Sequence, residues 1–230
     1  MKIPILYEDN HLLIVEKPVN IPVQGDESGD KDLLTLLKED IKVRYNKPGN
    51  VYLALVHRLD RPVGGAIVFA KTSKAASRMA NLLRLRKMKR IYLAVVRGHV
   101  KNDSDTLIDY LIKDRKKNIV YTAASGEKGA KEAILHYEVL GRKDGLTFLK
   151  VELETGRSHQ IRVQLSEMGH PLYGDQKYGA HVNKPGEQIA LWSHMLSFTH
   201  PVKKTEITVT SSPADKYPWN LWLKKYFSNK

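Results

Sequence analysis

Two apolar segments separated by five loop-forming residues constrain the fold of this chain more than any other feature. Residues 132–140 and 146–154 have the length and residue types of strands, and the Gly141-Arg-Lys-Asp-Gly145 segment between them has hairpin-loop chemistry. We therefore predict an antiparallel strand pair. Other predicted strands also come in neighbouring pairs, with helices interspersed. The pattern favours an α/β (α+β) fold with a mixed, mostly antiparallel central sheet and flanking helices, rather than a regular βαβ array.

The remaining elements follow from hydrophobic spacing. Six further apolar runs have strand length, at 12–15, 52–56, 66–70, 91–96, 190–198 and 206–209. Four segments are predicted as helices, at 33–45, 72–87, 158–168 and 219–227. Residues that can cap the first three of these helices are Asp30 or Asp32, Thr72 or Ser73, and Ser158.

Length and composition limit the class of protein. The chain has 230 residues, of which 42% are hydrophobic and 27% charged. These are ordinary globular values, and no linker-like segment divides the chain, so we expect a single domain over residues 1–230. Cysteine is absent, which excludes disulfides, thiolate metal sites and a cysteine nucleophile. There is no apolar run of the roughly 18 residues that span a bilayer and no signal-peptide core, so we expect no membrane partner and a cytoplasmic location.

The charge points to a polyanionic partner. Lysine and arginine number 38 against 25 acidic residues, a net charge of +13. Eleven of the basic residues lie between Asp60 and Asp103, a stretch without any acidic residue. A few cations at the end of helix 72–87 would simply favour the helix dipole. The excess there is better explained by a phosphate backbone that crosses this surface. The cations at the helix end are Arg84, Arg86, Lys87, Lys89 and Arg90.

Three short segments carry candidate chemistry. His57-Arg-Leu-Asp60 stands between a predicted strand and a Pro-Gly-Gly turn, where an aspartate can be catalytic or can simply stabilise the turn. Thr155-Gly-Arg-Ser-His-Gln-Ile-Arg162 begins a helix, and its arginines can pair with a carboxylate, bind phosphate, or form an ordinary solvated helix end. The segment 169–179 is a constrained loop rich in glycine. No set of residues has metal-ligand spacing, so we predict no metal.

Together these segments resemble the RluA-type pseudouridine synthases. The resemblance rests on His57-Arg-Leu-Asp60, on 155–162 and on Gly174-Asp-x-x-Tyr178-Gly, in the family's order. Three further matches agree with it: Lys17-Pro18, Lys89-Arg-Ile-Tyr92-Leu-Ala-Val-Val-Arg-Gly98, and Ser193-His194 with Phe198-Thr-His-Pro201. It implies the pseudouridine synthase fold with a central cleft, and isomerisation of a uridine in RNA without a cofactor.

The resemblance also implies site residues. Asp60 corresponds to the essential aspartate, Tyr92 to the tyrosine that packs on the target base, and Arg162 to the arginine that pairs with the catalytic carboxylate. Arg58 corresponds to the arginine that fills the space of the flipped base. Asp60 and Arg162 are therefore expected to meet in the cleft. Further candidates for RNA binding are Arg61, Arg157 and His159, together with Arg84, Arg86, Lys87, Lys89 and Arg90.

The sequence departs from the family pattern beside the catalytic motif. Val63-Gly64 stands where the family usually has Thr-Ser, and Asn20 replaces a glycine near Lys17-Pro18. The motifs begin near the start of the chain, so we expect no separate N-terminal RNA-binding domain. The expected partner is ribosomal or transfer RNA, and the expected state is a monomer. Two alternatives are a catalytically inactive RNA-binding protein on the same scaffold and a metal-dependent nuclease that uses Asp60 and His57.

Overall fold

The predicted hairpin is present in the structure, a computed structural model that describes residues 2–228. Strand Lys131–Lys143 pairs antiparallel with Leu146–Leu153, and the register shifts between Val139 and Gly141. The connection is shorter than predicted, because 141–143 continue the first strand and only Asp144 and Gly145 turn the chain. Both have positive φ, 53° and 70°, as a two-residue hairpin turn requires.

Eleven strands and four α-helices form the described part of the chain. In chain order they are β1 (Ile5–Glu8), β2 (Leu12–Lys17), α1 (Leu33–Arg44), β3 (Ala54–Leu55), β4 (Gly64–Ala70), α2 (Ser73–Arg84), β5 (Met88–Arg97), β6 (Ser104–Asp114), β7 (Ile119–Ala123), β8 (Lys131–Lys143), β9 (Leu146–Leu153), α3 (Gln160–Glu167), β10 (Leu191–Thr199), β11 (Glu206–Thr210) and α4 (Leu223–Ser228). They belong to two compact units, residues 1–89 with 193–212 and residues 90–192 with 213–230.

The first unit contains the sheet β1-β2-β4-β10-β11, with β3 beside β4. All seven residues of β4 are buried. Helix α2 covers one side of it, where Ala75 and Met79 pack with Val68 and Leu196. The predicted caps of the two helices are confirmed: Asp32 accepts a hydrogen bond from the backbone N–H of Thr35, and Thr72 accepts one from Ala75.

The second unit contains the antiparallel sheet β5-β9-β8-β6-β7. Helix α3 packs on one face of its outer strands, where Val163 contacts Leu111, Val120 and Ala133. The amide of Gln164 fixes the helix further, because it donates to the carbonyls of 107 and 133 and to the Asp109 carboxylate. On the other face of β6 and β7, the large apolar side chains of Ile108, Ile119 and Tyr121 are exposed.

Several local predictions are wrong for physical reasons. Ser158 does not cap α3; the helix begins at Gln160, and His159 takes the cap position in a left-handed conformation without a side-chain bond. The predicted strand 52–56 pairs only over two residues, in β3. The terminal helix is split into a 3₁₀ turn, Trp219–Leu221, and α4. Strands β1, β6 and β7 are absent from the predictions. Few of their positions are buried, so their sequences form only weak apolar runs.

Candidate active site

Asp60 lies on a tight turn between β3 and β4. The carbonyl of Asp60 accepts a hydrogen bond from the backbone N–H of Val63 at 2.9 Å, which closes the turn. The side chain of Val63 is buried, so a backbone hydrogen bond and apolar packing stabilise this turn. The Thr-Ser pair that the family usually has here would offer side-chain hydroxyls for hydrogen bonds instead. Leu59 is buried as well, while Arg58 is exposed and Asp60 half-buried. The alternation anchors the turn and leaves these two polar side chains partly accessible.

Lys17, at the end of β2, donates a hydrogen bond to this turn. Its side chain is fully buried, and its Nζ donates to the carbonyls of Pro18 at 2.9 Å, Ile21 at 2.7 Å and Arg61 at 3.0 Å. Three acceptors satisfy the three protons of an ammonium group. Burial lowers the pKa of Lys17 to about 7, and the negative charge of Asp60 opposes that shift. The fold therefore places a buried cation directly beside the Asp60 turn.

Gly65, two residues beyond Val63, is required by close backbone packing. Its φ is +111°, and a Cβ at this position would lie 2.3 Å from the carbonyl oxygen of Ser193. Opposite it in β2 is Lys17. The hydroxyl of Ser193 donates to the carbonyl of Ala66 at 2.8 Å, which fixes the same strand from the other side. The Gly65 that the family pattern shares is thus a packing requirement of the strand that follows Asp60.

The predicted RNA-binding arginine Arg61 is exposed and has acidic neighbours. Its guanidinium forms ion pairs with Asp30 and, at 3.8 Å, with Asp26, and it donates to the Ser28 hydroxyl at 2.9 Å. These contacts tie the turn to the loop before α1. An RNA phosphate at Arg61 would therefore compete with two carboxylates. Its assignment to RNA binding stays a prediction.

Most of the basic cluster after α2 lies at the surface, as expected. Arg84, Arg86, Lys87 and Lys89 are exposed, and Arg86 has a left-handed backbone conformation, φ 56°, where the chain turns into β5. Arg84 also donates to the Asn81 side chain at 2.7 Å. These four cations are accessible to a phosphate backbone.

Arg90 needs a correction, because its side chain is buried and is not part of that surface. It is 7% exposed, donates to the carbonyl of Glu154 at 3.3 Å, and lies on Gly156, where a Cβ would be 2.5 Å from the guanidinium. Burial lowers the pKa of Arg90, and the electrostatic interaction with Tyr92 opposes this. Within residues 2–228 its Nε has no hydrogen-bond partner. Alternation in β5 explains the error: Lys89 points outward and Arg90 inward.

Tyr92 and Arg162 are both buried in the second unit. Tyr92 lies in β5 opposite Val151 of β9 and is 5% exposed. Arg162, in α3, is 6% exposed and forms a two-pronged ion pair with Asp175: its Nε and one terminal nitrogen each donate at 2.8 Å. Burial would raise the pKa of Asp175, but the Arg162 guanidinium holds it below its usual value.

Sequence reasoning did not assign Asp175 this role, although Gly174-Asp-x-x-Tyr178-Gly was among the matched motifs. Asp60 belongs to the first unit and Arg162 to the second, and their expected pairing stays a prediction.

Tyr178 contacts two of the predicted site residues, Arg162 in α3 and His159 just before it. The guanidinium of Arg162 lies 5.3 Å from the Tyr178 ring centre, and the Tyr178 hydroxyl is 2.7 Å from Nδ1 of His159. The same hydroxyl accepts from the backbone N–H of Val120 at 2.9 Å. Arg157 is exposed, and its Nε donates to the Glu132 carbonyl at 2.8 Å.

Residues 2–228 contain neither a cluster of metal-ligating side chains nor a helix that could span a membrane. Across residues 2–228, three or more histidine, aspartate or glutamate side chains never cluster in a way that could bind a metal ion. Across the same residues, every helix is too short or too polar to span a bilayer.

The fold defines the class of protein. The human RNA pseudouridylate synthase domain containing 4 has a similar structure, with a TM-score of 0.77 and 21% identity over 92% of this chain and 89% of the other. The large antiparallel sheets and few helices are thus a pseudouridine synthase fold.

Sequence comparison then gives the family. A family model described as RNA pseudouridylate synthase matches residues 11–167, which include Asp60, Tyr92 and Arg162. The RNA pseudouridine synthase YhcT of Bacillus subtilis is 35% identical over 99% of this chain and 73% of its own length. The ribosomal large subunit pseudouridine synthase D of Pseudomonas aeruginosa is 32% identical over 97% of this chain and 72% of its own length. The chain belongs to the RluA-type family of RNA pseudouridine synthases.

Proposed function

We propose that this RNA pseudouridine synthase uses Asp60 as its essential catalytic group, on a uridine flipped out of structured RNA. The observation that carries the proposal is the Asp60 turn itself. A half-accessible carboxylate lies on a backbone-closed turn, with the buried Lys17 beside it. An ionised carboxylate is the form needed to act at the sugar or to accept a proton.

The reaction is an isomerisation and needs no external oxidant or reductant. The N1–C1′ bond of uridine breaks, the uracil rotates, and a C5–C1′ bond forms. The proton on C5 is lost to a base or to water, and N1 gains one, so the atoms balance. Asp60 acts at the sugar or on the departing proton, and Tyr92 offers an aromatic face to the base, worth roughly 1–3 kcal/mol.

Base flipping explains the arginines assigned to the site. A stacked base cannot react, and unstacking costs roughly a few kcal/mol. In this proposal Arg58, which is exposed next to Asp60, fills the vacated space, and Arg162 provides the cation for the catalytic carboxylate. Arg61, Arg157, His159 and the exposed cations at 84–89 hold the RNA backbone. Ribosomal RNA is the first substrate to test, because the relative from Pseudomonas aeruginosa is named for the large ribosomal subunit; transfer RNA is the second.

Three further features belong to the proposal. The chain acts as a single catalytic domain and as a monomer, and it acts in the cytoplasm. A chain without cysteine needs no disulfides, which fits this reducing compartment. Gel filtration with light scattering would test the monomer, since a mass of twice 26.2 kDa would contradict it.

Tritium release tests the reaction. Ribosomal and transfer RNA labelled at C5 of uridine, taken from cells lacking this protein, should release tritium to water with the wild-type chain. Asp60→Asn should abolish release and still bind the RNA, whereas Asp40→Asn, on the exposed side of α1, should release normally. Release by Asp60→Asn would contradict the assignment. Binding without release by the wild type on both RNAs would favour the alternative, an inactive RNA-binding protein on this scaffold. Cleavage of the RNA that a chelator abolishes would favour the other alternative, a metal-dependent nuclease that uses Asp60 and His57.

A further inference from the structure

The sheet face opposite α3 presents an exposed apolar surface. Side chains alternate along β6, so Asp109 and Leu111 face α3 and their neighbours face outward. Cross-strand pairing continues this outer face onto β7 and β8, because Ile112 is opposite Tyr121 and Ile108 is opposite Ile134. We call this surface the outer face; its apolar and aromatic residues are Ile108, Tyr110, Ile112, Ile119, Tyr121 and Ile134, and Glu132, opposite Tyr110, lies on the same face.

The exposure of the outer face is unusual for side chains of this kind. Ile108 is 61% exposed, Tyr121 44% and Ile119 37%, while Tyr110 and Ile112 are half-buried. Isolated apolar residues at a surface are ordinary, but a contiguous exposed group marks an interaction surface. The two tyrosines are diagonal neighbours, since Tyr110 is opposite Ala123 and Tyr121 is two residues before it.

The hairpin tip at the end of the outer face is strongly basic. The tip, residues 113–117, has four cations and one acid, Asp114. That acid is held in the turn, where it accepts hydrogen bonds from the backbone N–H groups of Lys116 at 2.9 Å and Lys117 at 3.0 Å. The four basic side chains, Lys113, Arg115, Lys116 and Lys117, are exposed. Aromatic rings and clustered cations on one surface are the chemistry that binds single-stranded nucleic acid.

The tip is also fixed to the segment that carries Asp175. The Tyr178 hydroxyl accepts from the N–H of Val120, and Lys177 donates from Nζ to the carbonyl of Asn118 at 2.9 Å. Asp175 in that segment pairs with Arg162. The hairpin is therefore held in a definite position relative to the buried arginine of α3.

We propose that the outer face and the tip bind a single-stranded segment of the RNA substrate, with bases on Tyr110 and Tyr121 and phosphates on the tip. The inference rests on the proposed action of this chain on RNA. It assigns RNA contacts to residues outside the basic stretch 61–101, which sequence analysis had singled out. The charge of the tip decides between RNA and a second copy of this chain, because two copies of a basic hairpin would repel each other.

Binding of a fluorescein-labelled twelve-residue oligouridine to Asp60→Asn protein tests the inference. Tyr121→Ala should weaken binding roughly 5- to 150-fold, the range for loss of one stacked base, and Tyr121→Phe should retain it. Replacing Arg115, Lys116 and Lys117 by glutamine should lower the slope of log affinity against log salt by about 2, at roughly 0.7 for each phosphate contact. The matched controls are Tyr52→Ala and glutamine at Lys31, Lys42 and Lys47, all exposed residues of the first unit.

Two results would overturn the inference. One is wild-type affinity in both the tyrosine and the tip variants, with thermal unfolding showing that they are folded. The other is a wild-type dimer in sedimentation that Tyr121→Ala converts to monomer without a change in RNA affinity. Tritium release by the wild-type chain is measured separately, so a failure of the outer face to bind RNA would leave the catalytic proposal standing.

Discussion

The ammonium of Lys17 donates a 3.0 Å hydrogen bond to the backbone carbonyl of Arg61, 44 residues further along the chain. Arg61 follows Asp60, so a buried cation at the end of β2 fixes the turn that carries the proposed catalytic carboxylate. The ammonium satisfies two further carbonyls, at Pro18 and Ile21. This triple contact links the Lys-Pro motif to the His-Arg-Leu-Asp motif.

Removal of the Lys17 ammonium should destabilise the protein and slow the reaction. Lys17→Met removes the fully buried donor of three hydrogen bonds to carbonyls, and a hydrogen bond to a charged group is worth roughly 1.5–3 kcal/mol. We expect a loss of several kcal/mol in the free energy of unfolding in urea, and a lower kcat for tritium release in the folded fraction. Lys47→Met, at an exposed position, should change the free energy of unfolding by less than about 0.5 kcal/mol. Equal stability of the two variants would contradict the role of Lys17.

The depressed pKa of Lys17 predicts a distinct pH dependence of stability. Burial lowers the pKa to about 7 in the folded state, whereas an unfolded lysine keeps its proton up to about 10.4. Between these values the unfolded state binds more protons, so the stability of the protein rises with pH over this range. Below about pH 7 Lys17 is protonated in both states and adds no pH dependence. Urea unfolding at pH 7 to 9.5 should show a slope up to about 1.4 kcal/mol per pH unit steeper in the wild type than in Lys17→Met. Parallel curves would contradict the prediction.

A side chain at Gly65 should strain the strand that follows Asp60. Gly65→Ala places a Cβ 2.3 Å from the Ser193 carbonyl oxygen at a φ of +111°. We expect a loss of about 3 kcal/mol or more, which lowers Tm by roughly 6–12 °C for a chain of this size. The control is Gly49→Ala, where a Cβ meets nothing within 4 Å and φ is not positive. A Gly65→Ala protein that melts with the wild type would show that the strands are not so closely packed.

The buried ion pair of α3 should be far more sensitive than an exposed one. Asp175→Asn removes the carboxylate that forms a two-pronged pair with the buried Arg162 guanidinium, and removing one partner of a buried pair costs roughly 3–5 kcal/mol. Asp103→Asn removes an exposed pair with Arg142 and should cost less than about 1 kcal/mol. Differential scanning calorimetry of both variants checks the contrast. Similar melting temperatures would mean that Asp175 is not a structural partner of Arg162.

Neighbouring cations in β5 should separate RNA binding from stability. Lys89→Gln removes an exposed charge and should weaken RNA affinity, with a salt slope lower by about 0.7–0.9 if one phosphate contact is lost. Arg90→Met should leave the salt slope unchanged and lower the free energy of unfolding, because Arg90 is buried against Gly156 and the Glu154 carbonyl. A reversed outcome would restore Arg90 to the RNA-binding surface.

Much of the candidate site was predictable because its signals are local. The Asp60 turn, a helix within 158–168 and the exposed cations at 84–89 follow from residues adjacent in sequence. The burial of Arg90 was not predictable, because it depends on which face of β5 the sheet covers. Nor was the cap of α3, since the left-handed His159 is held by Tyr178, 19 residues away.

By itself, the sequence determined the strands and helices of strong periodicity, the paired-strand fold class and the family, because each depends on short-range spacing or on ordered motifs. Only the tertiary structure decided how distant groups are satisfied. Lys17 reaches the Asp60 turn, Asp175 pairs with Arg162, and the face of β6 opposite α3 stays exposed. The physical reason is that a buried charge or carbonyl must find a partner wherever the fold brings one close. The spacing of residues along the chain does not show which distant residue becomes that partner.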